Sequence, residues 1–323
     1  MSVNTEHEDL PKKYTHGIVL HGGGGVRRTK EMTPEIEDAY RSKLKEALFA
    51  GYELLEHGES SVSAVEATIR VMEDSPLFNA GKGAAFTSAG INEMDASIMN
   101  GKTLRAGGVA NVKFVKNPIN LARLVMEKTP HVLVVSEGAE LFAKEQGVEL
   151  KPTKYFYTEK QWESLQRRLK ENISYGGQLP ETDDERFGTV GAVALDKAGN
   201  LAAGTSTGGR VKKRPGRVGD SPIIGASTYA NNDTCAVSTT GLGEVHMVVL
   251  TSKEISALIA YKGISLKEAA YDVIMNQVAA LGGGGGAIAI DKNGNVATPF
   301  LGEGMYRGYM RSDEKMVVKI YED

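Results

Sequence analysis

Cysteine is almost absent from this sequence, and long apolar segments are absent altogether. Cys235 is the single cysteine among 323 residues, which excludes an intrachain disulfide. Such sparse usage is typical of a reducing compartment. No apolar run approaches the roughly 18 residues of a membrane-spanning helix, and the polar start MSVNTEHEDLPKKY lacks the apolar core of a secretory signal. These absences predict a cytoplasmic protein without a membrane partner.

A surplus of positive charge is also absent, since the formal net charge is −3. Nucleic acids and anionic membranes attract proteins through surplus lysine and arginine, so neither is predicted as a partner. The six histidines are scattered and form none of the close His or Cys/His pairs that bind zinc. The segment HGGGG (21–25) fits neither G-x-G-x-x-G nor a Walker motif, so nucleotide binding is not predicted either.

Helical patterns occupy much of the first 130 residues. Thr33 fits an N-cap and Pro34 the first position of a helix that ends before Gly58. A second helix should follow and end before Pro76, because apolar residues recur at three- and four-residue spacing. A third helix is predicted over 119–127.

The rest of the chain contains one further apolar run and two helix-start signals. The run HVLVVS (131–136) predicts a buried strand. Two S/T-x-x-E spacings predict helices that begin with capping boxes, Thr251 with Glu254 and Ser265 with Glu268.

A polar segment and two similar strand pairs predict the overall organisation. Residues 170–187 contain Gly and Pro without periodicity, which predicts a mobile surface linker. The stretches 189–206 and 286–300 each consist of an apolar strand, an Asp-Lys-x-Gly-Asn turn and a second strand. Their strands are small or apolar on both faces, as in a sheet covered on both sides. The pattern predicts one domain over 1–323, with two stacked sheets between helix layers.

A serine esterase is one enzyme class that the motifs allow. The segment GTSTG (204–208) matches G-x-S-x-G, with Ser206 as nucleophile and His246 as base, and HGGGG resembles the oxyanion loop of some lipases. A nucleophile elbow needs a helix directly after its serine. Here the chain continues as TGGRVKKRPGRVGDSP, a loop interrupted by Pro215, so this alternative is disfavoured.

A set of ordered motifs gives a more specific indication. Its members are GTVGAVALDKAGNLAAGTSTGG (188–209), GRVGDSP (216–222) and STTGLGE (238–244), together with HGGGG, PLFNAGKGAAFT, MDASIMNG and GMYRG. The set resembles the plant-type L-asparaginase and isoaspartyl peptidase family of N-terminal nucleophile hydrolases. The resemblance covers nearly the whole chain, and three central motifs at matching spacing are more specific than any single glycine loop.

The resemblance implies a fold, a maturation step and an assembly. The fold is the four-layer αββα sandwich of the N-terminal nucleophile hydrolases, an α+β architecture. Cleavage of the Gly188–Thr189 bond would divide the chain into an α subunit (1–188) and a β subunit (189–323). Two copies of each would associate as (αβ)2.

At the cleavage point, the resemblance implies that Thr189 is the catalytic nucleophile. A threonine hydroxyl needs a base, and the α-amino group freed by cleavage can serve, because its reference pKa is ~7.7–8.0. Gly188 suits the scissile position, since a residue without Cβ tolerates strained backbone geometry. Thr207 matches the threonine that hydrogen-bonds to the nucleophile, and Thr240 and Gly241 match an oxyanion hole.

The resemblance also implies the substrate contacts. Arg217 and Asp220 match a clamp in which a guanidinium binds a carboxylate and a carboxylate binds an ammonium group. Gly243 and Asn79 match further active-site contacts. The clamp fits L-asparagine and β-aspartyl (isoaspartyl) dipeptides. The implied reaction releases ammonia or an amino acid and leaves a β-aspartyl ester, which water hydrolyses to aspartate.

The resemblance implies no cofactor for catalysis, because the nucleophile and its base belong to one residue. It does imply a structural sodium ion bound by backbone carbonyl groups. The corresponding residues are Met72, Glu73, Ser75, Phe78, Ala80 and Lys82.

Two related alternatives stay open at this point. A glycosylasparaginase-like amidase would typically have Asp before the nucleophile and TSTNG after it, where this chain has Gly188 and TSTGG. A relative that has kept the fold and lost activity is disfavoured by the complete catalytic set. One departure lies outside that set, since Leu301-Gly302 stands where the family often has Asn-Thr.

Overall fold

The computed structural model describes residues 14–29, 32–170, 188–312 and 314–322. Its helices are α1 (Pro34–Glu56), α2 (Ser61–Glu73), α3 (Pro118–Lys128), α4 (Ser136–Glu145), α5 (Glu159–Lys170), α6 (Gly243–Val249), α7 (Thr251–Lys262) and α8 (Leu266–Asp272), which continues as a π-helical turn over Val273–Val278. Its strands are β1 (Gly17–Gly24), β2 (Met94–Asn100), β3 (Ala106–Val112), β4 (Leu133–Val135), β5 (Val190–Leu195), β6 (Leu201–Thr207), β7 (Thr228–Ala230), β8 (Cys235–Gly241), β9 (Gly285–Asp291), β10 (Val296–Ala297), β11 (Phe300–Leu301), β12 (Gly304–Arg311) and β13 (Val317–Tyr321).

The strands form two sheets. Among the described residues, eight strands make one sheet in the order β13-β12-β1-β5-β6-β2-β3-β4, and the second sheet has the order β10-β9-β8-β7, with β11 also paired to β9. Neighbouring strands are antiparallel except for β3 and β4, which are parallel. The chain therefore has a mixed α/β architecture in which β5, the strand after Thr189, lies inside the larger sheet.

Side chains of β5 alternate between two apolar environments. Ala192 and Ala194 pack in the cluster that the larger sheet forms with α1, α2 and α3. Val193 and Leu195 pack against the second sheet, in a cluster that includes Ala236 and Ile288. A third cluster joins the second sheet to α7 and α8. Both faces of β5 are thus covered, which explains its small and apolar residues.

The predicted helix starts are mostly confirmed. Thr33 caps α1 by accepting a hydrogen bond from the backbone of Ile36, and Pro34 is the first helical residue. Ser60 caps α2, α3 spans the predicted 119–127, and Ser265 forms the complete capping box of α8. No helix in the described ranges combines the length and apolar character needed to cross a membrane.

Two predictions about local structure are wrong. The run HVLVVS does not form a buried strand, because β4 is a three-residue edge strand whose Leu133 and Val135 are exposed. Thr251 does not cap α7, because Leu250 precedes the helix in a left-handed conformation. The Thr251 hydroxyl instead hydrogen-bonds to Nδ1 of His246, at 3.0 Å.

The two predicted hairpins are confirmed, and one lies in each sheet. β5 pairs with β6 through Leu195 and Leu201, and β9 pairs with β10. Gly199 and Gly294 give the turns their positive φ, at 79° and 77°. The predicted linker 170–187 lies outside the described residues apart from Lys170, the last residue of α5.

Gly51 lies where α1 packs closely on the larger sheet and on α2, so a substitution at this position tests that packing. In a helix, alanine is normally more stable than glycine by about 1 kcal/mol. Here a Cβ on residue 51 would lie 2.1 Å from Thr68 Oγ1 and 2.5 Å from Ile18 Cδ1. We expect Gly51→Ala to lower the free energy of unfolding by roughly 1–3 kcal/mol, measured by urea denaturation.

Gly138→Ala is the matched control, because a Cβ there would have its nearest neighbour at 3.8 Å, on Val134. This exposed α4 residue should follow helix propensity and raise the free energy of unfolding. A Gly51→Ala protein more stable than the parent would contradict the described packing of α1.

Candidate active site

The β5–β6 register brings Thr189 opposite Thr207. Val190 pairs with Ser206, so the residue before Val190 faces the residue after Ser206. The Thr189 Oγ1 donates to Thr207 Oγ1 at 3.0 Å, and both side chains are buried. A hairpin therefore holds the predicted nucleophile against a second hydroxyl with no long loop between them.

Gly188 is packed directly against Asn79. The Asn79 N–H donates to the Gly188 carbonyl at 3.1 Å, and a Cβ on Gly188 would lie 2.4 Å from Asn79 Cβ. The φ of Gly188 lies outside the left-handed region. In this conformation, the requirement for glycine comes from crowding.

The Asn79 side chain connects two loops, one that follows β6 and one that follows α2. Its Nδ2 donates to the carbonyl of Gly209 at 2.6 Å, and its Oδ1 accepts from the N–H of Ala85 at 2.7 Å. Both polar groups of the amide are therefore used to fix the loop beside the bond.

His21, from the glycine-rich segment, fixes the backbone of Thr189. Its Nδ1 lies 3.0 Å from the Thr189 carbonyl oxygen, which can only accept, so Nδ1 carries the proton. Nε2 therefore accepts from the Ser238 hydroxyl, at 3.0 Å. Burial lowers the pKa of His21 to about 3, opposed by its bond to Thr189. His21 is thus a neutral hydrogen-bonding residue that joins β1 and β8 to Thr189, the residue before β5.

Thr240 and Gly241 lie at the end of β8, where the two sheets meet. The Gly24 N–H donates to Thr240 Oγ1 at 3.3 Å, which ties the glycine-rich segment to the predicted oxyanion hole. A Cβ on Gly241 would lie 2.0 Å from the Gly284 carbonyl oxygen and 2.4 Å from His246 Nε2. Glycine at 241 lets the backbone approach both of these groups.

Arg217, Asp220 and Gly243 converge on one point. A Cβ on Gly243 would lie 2.8 Å from Asp220 Oδ1 and 2.9 Å from Arg217 Nη2. The absence of a side chain at 243 leaves room between the two charges. Arg217 also pairs with Glu244, at 2.9 Å from Nη2, and Thr239 Oγ1 donates to Asp220 Oδ2 at 3.3 Å. An α-carboxylate and an α-ammonium group would find opposite charges side by side.

Two buried carboxylates beneath this clamp were not predicted from the sequence. The Gly216 N–H donates to Glu93 Oε2 at 2.8 Å, which anchors the start of the loop that carries Arg217. Asp95 Oδ1 accepts from the Asn111 N–H at 2.8 Å, and Asn111 Nδ2 donates to the Gly216 carbonyl at 3.3 Å. Burial raises the pKa of Asp95, opposed by Lys213.

A signal for these residues was present in the sequence. Asp95 belongs to the motif MDASIMNG and is the one charged residue of the apolar strand β2. A fully buried carboxylate in such a strand needs hydrogen-bond donors, and here they come from the chain that supports the clamp.

Ser206, the nucleophile of the esterase alternative, has a structural environment. It is fully buried and donates to Glu73 Oε1 at 2.6 Å. Burial raises the pKa of Glu73 to about 8, opposed by the Ser206 bond. In the described chain, the next helix after β6 is α6, so no helix starts directly after Ser206. The neighbours of His246 are Gly241 and Thr251, and Ser206 is not one of them. The geometry does not support an esterase.

In the loop predicted to bind sodium, two backbone carbonyl oxygens lie against glycines. A Cβ on Gly81 would lie 2.3 Å from the Glu73 carbonyl oxygen, and a Cβ on Gly83 would lie 2.0 Å from that of Phe78. Carbonyl oxygens suit a hard cation, so the chemistry of the loop fits sodium. Among the described residues, no cluster of three or more His, Cys, Asp or Glu could hold a metal. The sodium site stays a prediction.

Comparison with known proteins gives matches over most of the chain. A family model described as Asparaginase matches residues 14–320, a range that includes every candidate site residue. An isoaspartyl peptidase of Escherichia coli (strain K12) is 47% identical over 309 residues, covering 95% of this chain and 96% of that protein. An isoaspartyl peptidase/L-asparaginase of Bos taurus is 43% identical over 288 residues, covering 89% and 91%. One of Xenopus laevis is 41% identical over 297 residues, covering 92% and 93%.

The buried neutral His21 predicts an acid-sensitive fold. Its pKa is about 3 in the folded protein against an ordinary histidine value of 6.5, so the unfolded chain binds more protons between these two pH values. The free energy of unfolding therefore falls as pH falls through this range. We expect the free energy of unfolding of His21→Asn, which keeps a donor for the Thr189 carbonyl, to fall less steeply as the pH is lowered. Urea denaturation at several pH values measures this dependence.

His57→Asn is the control, because it removes an exposed histidine from the C-terminal cap of α1. Its stability should depend on pH as steeply as that of the parent. Equal slopes for the parent and His21→Asn would be inconsistent with a neutral histidine at this position.

Proposed function

Because the chain belongs to the asparaginase family, we propose that it hydrolyses L-asparagine to L-aspartate and ammonia and cleaves β-aspartyl (isoaspartyl) dipeptides. The observation that carries this proposal is the 3.0 Å bond between Thr189 and Thr207 directly after a packed glycine. The nearby clamp of Arg217 and Asp220 supplies the charges that a free amino-acid end requires.

Maturation is proposed to begin with attack of the Thr189 Oγ on the carbonyl carbon of Gly188. The new O–C bond replaces the peptide C–N bond, and the nitrogen takes up a proton to become the free amine of Thr189. Water then hydrolyses the ester, which gives a carboxylate on Gly188 and restores the hydroxyl. The products are the α subunit (1–188) and the β subunit (189–323).

In the mature enzyme, the Thr189 amine serves as the base for its own hydroxyl. An α-amino group has a reference pKa of ~7.7–8.0, so roughly a tenth of it is neutral at pH 7 and can act as a base. The Oγ attacks the side-chain carbonyl of the substrate, and the amine passes the proton to the leaving nitrogen. Ammonia or an amino acid departs, and water hydrolyses the β-aspartyl ester to release aspartate. No cofactor is required.

Negative charge develops on the carbonyl oxygen of the substrate during attack, and hydrogen-bond donors at the site must stabilise it. We assign this role to the Thr240 hydroxyl and the Gly241 N–H, because buried donors stabilise such an oxygen strongly. The bond from the Gly24 N–H to Thr240 Oγ1 positions that hydroxyl. Gly243 keeps the space between the clamp charges clear, and Asn79 holds the scissile segment.

The arrangement of the sheets and helices favours the four-layer αββα sandwich. An apolar cluster lies between the two sheets, and further clusters join each sheet to its own helices. The proposal further includes a structural sodium ion in the loop after α2, an (αβ)2 assembly and a cytoplasmic location. Nucleic acid and membrane are not proposed as partners.

Crowding at two glycines argues against a glycosylasparaginase-like amidase. The Asp of that pattern would fall at Gly188, where a Cβ lies 2.4 Å from Asn79 Cβ. The Asn of TSTNG would fall at Gly208, where a Cβ lies 2.4 Å from Asn79 Oδ1 and 2.5 Å from the Ala85 nitrogen. This chain has no room for either side chain in its described conformation.

Self-cleavage is the first test of the proposal. Purified parent protein should mature into two fragments, with Thr189 as the new N-terminus found by sequencing. Thr189→Ala should remain one chain, because no hydroxyl is available to attack Gly188. Thr189→Ser is the matched control and should still mature. If Thr189→Ala is cut before residue 189, an external protease is responsible and the mechanism is wrong.

The clamp is the second test. Loss of a charged hydrogen-bond partner should cost on the order of 2–5 kcal/mol in the transition state, so Arg217→Ala should lose most of its kcat/KM for L-asparagine. Maturation should continue, because the clamp does not contact Gly188. Arg210→Ala removes the other arginine near Glu244, at 3.8 Å, and should stay within a few-fold of the parent. Parent-like activity of Arg217→Ala would remove this residue from the site.

A further inference from the structure

A cavity of about 370 Å³ borders the candidate active site. It meets the site at Gly24, Asn79 and Gly188, while Arg217 and Asp220 are not among the described residues that line it. Gly24 is the residue that donates to Thr240. The cavity therefore comes up to Gly188, the residue before Thr189, and is lined by neither Arg217 nor Asp220 of the clamp.

Three aromatic rings form a fixed apolar wall of the cavity. Tyr40 and Tyr306 are stacked, with centroids 4.3 Å apart and an interplanar angle of 13°. Phe78 stands edge-on to both, at 5.6 Å from Tyr40 and 6.4 Å from Tyr306. Such mutual packing prevents the rings from closing the space, and their faces suit an apolar side chain.

Lys160 supplies positive charge at the same cavity. Its Nζ donates to the Tyr40 hydroxyl oxygen at 3.0 Å, and that hydroxyl donates in turn to the Leu77 carbonyl at 2.9 Å. An ammonium group has three N–H donors, so this contact uses one of them. In the uncut chain, Lys160 is the one charged side chain among the described lining residues, and cleavage would add the carboxylate of Gly188. Among these lining side chains, Lys160 is therefore the only positive partner that a ligand carboxylate would find.

We propose that this cavity is the subsite for the leaving amino acid of β-aspartyl dipeptides, with Lys160 binding its α-carboxylate and the aromatic wall contacting its side chain. This inference rests on the proposed function, because it places the aspartyl half of the substrate in the clamp and its amide carbon at Thr189. The remaining half then continues past Thr189, on the side of Gly24 and Gly188. Lys160 becomes a residue that distinguishes dipeptides from asparagine.

L-asparagine provides an internal control for this subsite. Its leaving group is ammonia, which carries neither a carboxylate nor a side chain. It uses the same nucleophile, oxyanion hole and clamp as a dipeptide. A change confined to the cavity should therefore alter dipeptide cleavage and leave asparagine hydrolysis unchanged.

The test compares the matured parent with Lys160→Met on three substrates: L-asparagine, β-aspartyl-leucine and the C-terminal amide of β-aspartyl-leucine. For the dipeptide, Lys160→Met should lower kcat/KM by about tenfold or more, mainly through KM, since a charged hydrogen bond is lost. The amide should already be poorer in the parent and should be insensitive to the substitution. Asparagine should change by less than about twofold. Lys154→Met, which removes an exposed lysine away from the cavity, should behave as the parent.

If Lys160→Met lost kcat/KM equally on the dipeptide and its amide, or equally on the dipeptide and asparagine, the proposed role of Lys160 would be wrong. The contact with the aromatic wall is tested with β-aspartyl-glycine, whose leaving amino acid has no side chain. The parent should cleave it less efficiently than β-aspartyl-leucine. Equal efficiencies would remove the aromatic rings from the subsite. A matured parent that hydrolyses neither asparagine nor any dipeptide would instead refute the proposed function, so the two failures can be told apart.

Discussion

The pairing of β5 with β6 is the constraint on which the site depends. This pairing places Thr189, the residue just before β5, opposite Thr207 at the end of β6. Because β5 lies inside the larger sheet and both of its faces are covered, Thr189 has little freedom to move. His21 restrains it further from β1 and connects it through Ser238 to the second sheet. The proposed nucleophile is therefore oriented by the centre of the fold.

The other functional groups depend on backbone segments that approach one another unusually closely. Gly188 and Gly208 both press against Asn79, while Gly241 lies against Gly284 and His246. At each of these positions any side chain would occupy space already held by another group. The proposed site therefore lies at places where glycine is required for packing. The clamp follows the same rule, because Gly243 separates Arg217 from Asp220.

Local features of the structure could be predicted from the sequence, and long-range ones mostly could not. Caps such as Thr33 and Ser265 follow rules that involve only a few neighbouring residues. The prediction of a buried strand at 131–136 was wrong because composition does not show whether a strand lies at the edge of a sheet. Glu93 and Asp95 were missed because their partners are brought to them by strand register and a distant loop. The order of motifs predicted the candidate site residues, but not the cavity beside them.

The strand order of the larger sheet has a consequence for a chain divided before Thr189. β1 and β2 belong to the first fragment, yet they lie on either side of the pair β5 and β6 from the second, and β12 borders β1 on the far side. Neither piece would contain a continuous version of this sheet. Two-state unfolding of a divided protein would then also be a dissociation, and its midpoint would depend on concentration. Refolding would become a bimolecular encounter, whereas the first folding of the intact chain takes place within one molecule.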